Sequence, residues 1–122
     1  MIRCEILLGF LIASAAAAAF AGEADVVDVR VRKAAPGIYD FDVTVKSVDK
    51  GWKYYADAFE VLAPDGTLLG RRTLLHPHET EQPFTRELHN VRIPASVERV
   101  TIRARHMPRG YDGRTLSIVL PK

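Results

Sequence analysis

Apolar and polar residues alternate with a period of two in short runs along most of this chain, and turn residues separate the runs. Val27, Val29 and Val31 alternate with Asp28, Arg30 and Arg32, and Ala35-Pro36-Gly37 then turns the chain. Over 38–46, Tyr39, Phe41, Val43 and Val45 fall on one side and Asp40, Asp42, Thr44 and Lys46 on the other. That pattern predicts a strand with one face buried and one face wet. Asp49-Lys50-Gly51 closes it. A third strand is predicted over 52–62, ending in Ala63-Pro64-Asp65-Gly66, where proline presets φ and glycine supplies a positive one. Residues 67–75 read as a fourth strand, interrupted at Gly70. Over 84–93 the parity slips near Asn90, so that Phe84 starts inward and Val91 and Ile93 end inward, and a bulge accounts for such a slip. Residues 97–105 turn Val100, Ile102 and Ala104 inward, and 115–120 do the same with Leu116, Ile118 and Leu120.

No stretch sustains a 3.6-residue period. About seven short strands with regular turn signals predict an all-β fold, an antiparallel two-sheet sandwich that is immunoglobulin/fibronectin III-like. The cysteine pair of antibody domains is missing, and Trp52 stands at the start of the third strand rather than in its middle, so no subtype follows. A small barrel is the alternative.

The first residues do not share this pattern. Met1-Ile2-Arg3 is a short positive head, 6–20 is apolar and ends in an alanine run, and Ala19-Phe20-Ala21 is a small-x-small site. Residues 1–21 therefore read as a signal peptide cleaved after Ala21, with Ala24 as the second choice, leaving 22–122 as a single domain. A retained N-terminal anchor is the competing reading of the same run. The domain is periplasmic or secreted, and with the signal peptide cleaved the mature chain has no transmembrane segment. Cys4 lies ahead of the apolar run, where a lipidated cysteine would follow it. The mature chain then has no thiol, which excludes disulfides, thiolate metal sites and cysteine nucleophiles.

The mature chain carries 16 Lys and Arg against 14 Asp and Glu once Arg3 and Glu5 are set aside. From Arg86 onward the balance is eight basic to three acidic residues. An anionic partner is one reading of that bias. The solvated face of a strand is the other, and the aromatic interleaving of a nucleic-acid surface is absent, so no nucleic acid is expected.

Candidate chemistry concentrates in 74–86. His76 and His78, two apart in an extended segment, point to the same side at about 6–7 Å between Cα atoms. Pro77 between them cannot join a sheet ladder, which places the segment at an edge or in a loop. Imidazole pairs suit Cu(II), Zn(II) or Ni(II), and a third ligand is needed for selectivity. His106, at the end of the sixth strand, is the natural third, with Met107 able to add a thioether and Glu79 or Glu81 an oxygen. The alternative leaves the imidazoles hydrogen-bonded to the backbone or facing solvent. Tyr111, between two glycines and flanked by Arg109 and Arg114, is either a recognition residue for a partner or lies down on the sandwich end and hydrogen-bonds the backbone. Phe84 is expected in the core.

The order Leu74-Leu75-His76-Pro77-His78, Glu81-Gln82-Pro83-Phe84-Thr85-Arg86, then His106 and Gly110-Tyr111-x-Gly113 resembles a group of small exported bacterial proteins of uncharacterised function. The resemblance spans about Val27 to Leu120 and implies an exported β-domain without naming an activity. Catalytic signatures are missing: there is no Gly-x-Ser-x-Gly, no His-Glu-x-x-His and no phosphate-cradling glycine loop. The expectation is a non-catalytic binding or accessory domain for an unknown protein or envelope component, with a transition metal held by a histidine cluster in its sharper form. The alternative is a metal-dependent hydrolase using water bound at the same histidines.

Overall fold

The alternation becomes two facing antiparallel sheets in the computed structural model, which describes residues 21–122. Cys4 and all of the expected signal peptide but Ala21 lie outside these residues. The strands are β1 (Ala24–Ala35), β2 (Ile38–Ser47), β3 (Tyr55–Leu62), β4 (Leu68–Thr73), β5 (Phe84–Arg92), β6 (Arg99–Met107) and β7 (Leu116–Val119). One sheet has the order β1-β2-β5 and the other β4-β3-β6-β7, so the fold is a sandwich and not a barrel. In the constant-type immunoglobulin arrangement the fourth strand joins the sheet of the first, second and fifth. Here β4 pairs with β3 instead. Among the described residues no helix is long and apolar enough to cross a membrane.

The inward residues are those the period-two pattern selects. Phe41, Val43 and Val45 of β2, Phe59 and Val61 of β3, Phe84 and Val91 of β5, and Val100, Ile102 and Ala104 of β6 are all buried in one core. Each large side chain among them contributes roughly 1.5–3 kcal/mol by leaving water.

Four local departures refine the pattern. Val26, not Val27, enters the core, because a register shift between Val26 and Asp28 makes Val27 a bulge before Val29 and Val31 turn inward. The slip near Asn90 is a bulge opposite Asp40: Asn90 takes φ 58°, and its N–H donates to Asp40 Oδ1 at 2.9 Å. At Gly70 the two sheets come close, since a Cβ there would lie 3.1 Å from Leu88 Cδ2 and 3.2 Å from Val91 Cγ2. The third strand begins at Tyr55, later than expected, because Gly51 at φ 86° and a Lys50 N–H to Tyr54 carbonyl bond of 2.6 Å fold 50–54 into a turn. Trp52 is thereby a loop residue.

Candidate functional site

The antiparallel pairings fix which loops share an end. β1, β3, β5 and β7 begin at the end where β2, β4 and β6 finish. Residues 21–23, 48–54, 74–83 and 108–115 therefore gather at one end of the sandwich. Every site residue expected from the sequence lies there or in the last residues of β6.

Buried Asp49 organises this end. Its side chain is fully enclosed. Oδ1 accepts from the Ser47 hydroxyl at 2.7 Å and from Ala56 N–H at 3.1 Å, and Oδ2 accepts from His78 N–H at 2.7 Å. Gln82 completes the clamp: its Nε2 donates to the His78 carbonyl at 2.9 Å, and its Oε1 accepts from Ser47 N–H at 2.9 Å. The backbone of His78 is thus held from both sides.

The His78 ring is held differently. It stacks on Phe84 with centroids 3.9 Å apart and planes at 9°. Its side chain is 3% exposed, and neither ring nitrogen has a hydrogen-bond partner. Burial, and after it the charges of Arg86 and His76, hold the imidazole pKa below its ordinary value, against the upward pull of Glu81 and Asp49. His76 sits beside it, centroids 4.5 Å apart, as the two-residue spacing predicts, with Nδ1–H donating to the Pro77 carbonyl at 3.0 Å.

His106 does not join them as a free ligand. It is fully buried, its Nε2–H donates to the Val48 carbonyl at 2.9 Å, and Arg109 N–H faces Nδ1 at 3.5 Å. Tyr54 packs against it edge-on. Both nitrogens are engaged in closing the loops. Met107, opposite Tyr55, is half-buried. Among the described residues no group of three or more His, Cys, Asp or Glu side chains is arranged to hold a metal ion.

Tyr111 lies down on the outer face of the four-stranded sheet. Its ring is covered by the Arg103 guanidinium, 3.7 Å from the centroid, and its hydroxyl donates to Glu60 Oε2 at 3.1 Å. The contact is with a carboxylate and not with the backbone. Glu60 is 3% exposed although it points outward, because Arg103 Nε (2.8 Å), Arg71 Nη1 (2.5 Å) and Tyr111 cover it. Burial pushes the Glu60 carboxyl up, but the hydrogen bonds from Arg103 and Tyr111 and the charges of Arg103 and Arg71 together outweigh it and keep the pKa low. Arg109 pairs with Asp112 at 3.4 Å on the surface. Arg114 gives its backbone N–H to Asp25 Oδ1 at 2.7 Å, tying the start of β1 to the last loop.

Sequence reasoning missed Asp49, Gln82 and Glu60. Asp49 reads as an ordinary turn residue before Lys50-Gly51, and Glu60 shows its role only once Arg71 and Arg103 are known to lie beside it across β3. A cleft of about 430 Å³ opens at the opposite end, with Tyr39, Ile93, Val97 and Leu120 in its walls. It contains no histidine, so this cleft and the histidine cluster stand at opposite ends of the molecule.

A protein of Halomicrobium mukohataei named "Putative lipoprotein" is 38% identical to this chain over 96 residues, which is 79% of this chain and 47% of that relative. The chain thus spans about half the length of the relative it matches. No family model matches the chain, and no solved structure matches it.

Proposed function

We infer that this chain is a small exported, non-catalytic binding or accessory domain whose contact surface is the loop end built on Asp49. The similarity to a protein named a lipoprotein supports an envelope or exported setting and kinship with exported proteins of uncharacterised function. A signal peptide over 1–21, followed by a domain over 22–122, fits that setting. The observation that carries the contact surface is that three of the six exposed large hydrophobics among the described residues, Val48, Trp52 and Leu75, sit in the loops of this one end, and a fourth, Tyr111, leaves the same end to lie on the sheet face. A rigid sandwich presenting loops at one end is a common way to hold a binding surface. The test is a photo-crosslinking residue placed at Leu75, or at Asp65 in the opposite turn, in the native host. Adducts, whether to protein or lipid, are expected from Leu75 and not from Asp65. Equal yields from both, or none from Leu75, would defeat the assignment.

A second reading is favoured by the His78 ring, whose two nitrogens are buried without partners beside His76. Here His76 and His78 hold Cu(II) or Zn(II), while His106 serves the fold. Calorimetric titration with Cu(II), Zn(II) and Ni(II) tests it. One-to-one binding is expected, lost in His76→Ala and kept in a variant at exposed His89. Heat that is the same in His76→Ala ends this reading.

A further inference from the structure

Trp52 and Leu75 are the observation that the loop end leaves unexplained. Trp52 is 64% exposed and Leu75 is 75% exposed, in loops that the His78 N–H to Asp49 bond stitches together. A single exposed apolar residue on a surface needs no explanation. Here the two are large, they share one end, and Val48 adds a third exposed apolar side chain from the same loop as Trp52.

Two further features say what covers them. Lys50 and Lys53 flank Trp52 in sequence, and both are exposed. Of the acids of this end, Asp112 pairs with Arg109, Glu81 pairs with Arg86 and Asp49 is enclosed, which leaves Glu79 and Glu23, whose bond from the neutral Tyr54 hydroxyl does not cancel its charge. The second feature is the path of the chain. β1 starts at Ala24, and Gly22 and Glu23 bond to Asp25 and Asp112, so the chain enters the fold at this same end, which is where an anchor over 6–20 attaches on the reading that retains it. Tryptophan beside lysine, with exposed aliphatic side chains at the same end, is the composition of a membrane-facing surface.

We propose that this end docks on an anionic lipid bilayer, with Trp52 and Leu75 entering the interfacial layer and Lys50 and Lys53 meeting the phosphate headgroups. This deepens the binding-domain reading, on which it rests, by giving the occupant of the loop end. A tryptophan ring places its apolar body in the acyl boundary while its N–H stays in the wet layer. Lysines at the same level attract anionic headgroups, and salt weakens that attraction.

Trp52 is the only tryptophan in the chain and so reports its own environment. The experiment uses the exported chain as the host processes it, with vesicles of phosphatidylcholine alone or of phosphatidylcholine with phosphatidylglycerol. A retained anchor would sediment the protein regardless, so the readout is Trp52 emission and its quenching by iodide. Phosphatidylglycerol vesicles are expected to shift the emission to the blue and to protect it from iodide. Lys50→Glu with Lys53→Glu should lower that partition by roughly tenfold or more. Leu75→Asp should lower it too, and Val119→Asp at the far end should leave it unchanged. All these positions are exposed, so the variants keep the fold, which circular dichroism checks. Emission unmoved by either vesicle, or a shift that Leu75→Asp leaves intact, overturns the proposal. If crosslinks from Leu75 still single out this end in that case, the occupant is a protein and the binding-domain reading stands.

Discussion

Replacing Asp49 tests whether one buried carboxylate holds the loop end together. Two of its partners, Ala56 N–H and His78 N–H, are backbone donors on buried residues and cannot turn elsewhere. The third, the Ser47 hydroxyl, rotates freely enough to be left out of the count. Leaving a buried donor unsatisfied costs about 1–3 kcal/mol, so Asp49→Ala should cost roughly 2–6 kcal/mol. That is a large part of the 5–15 kcal/mol typical of a domain, on the order of what unfolds a marginal one. Asp49→Asn separates the two donors. Its carbonyl oxygen can still accept from Ala56 and Ser47, but its amide group then faces the His78 N–H, donor against donor. The cost should be about 1–3 kcal/mol and should fall on one side of the clamp only. Urea unfolding ranks the variants, and amide hydrogen exchange locates the damage. In Asp49→Asn, amides around His78 should lose protection while Ala56 keeps it. The reasoning fails if Asp49→Ala costs less than about 1 kcal/mol, or if Asn and Ala are equally harmful.

Three other outcomes follow from the same geometry. Gly113→Ala would place a Cβ 1.7 Å from the Ala24 carbonyl oxygen, so the start of β1 must detach from the last loop; thermal unfolding should show a loss of about 3 kcal/mol or more, in the class of severe overpacking. His78 has a folded pKa below its ordinary 6.5, so the neutral ring is the form the fold favours. Stability from this residue is complete above about 6.5 and is lost as pH falls below it, since the unfolded chain takes up the proton first; urea midpoints between pH 7.5 and 5 should fall in the natural chain and stay flatter in His78→Phe, and equal slopes would refute the assignment. Glu60→Gln removes the charge that two arginines share. Because both guanidinium groups are partly exposed and can turn to water, the loss should be modest, about 1–2 kcal/mol, with increased hydrogen exchange in 108–113 as the sign that Tyr111 has been released.

The strands were legible because their signal is local: one buried face and one wet face write themselves into every second residue. Even the slip at Asn90 was visible, because a bulge changes parity within the strand that carries it. Val26 was not, because the bulge at Val27 leaves three valines in a row of plausible parity, and only pairing with β2 decides between them. Gly70 read as an interruption when it is a close approach, since the side chains that would crowd a Cβ, Leu88 and Val91, belong to the other sheet.

The site was legible in its ingredients and not in its assignments, for a physical reason. His76, His78 and His106 are the same side chain, and the chemistry of each is set by what lies within hydrogen-bond reach. For His106 that is the carbonyl of Val48, 58 residues earlier in the chain, and for the backbone of His78 it is Asp49, 29 residues earlier. Such contacts form only when β2, β4 and β6 finish at the same end of the sandwich, and that arrangement is a property of the pairing and not of any one segment. The loop that carries Val48, Asp49 and Trp52 therefore performs three jobs. A carbonyl fixes one histidine, a carboxylate positions another, and an exposed indole, edge-on to Tyr55, faces outward. The first two hold the loop rigid, which would lower the entropy cost of the membrane docking proposed for the third.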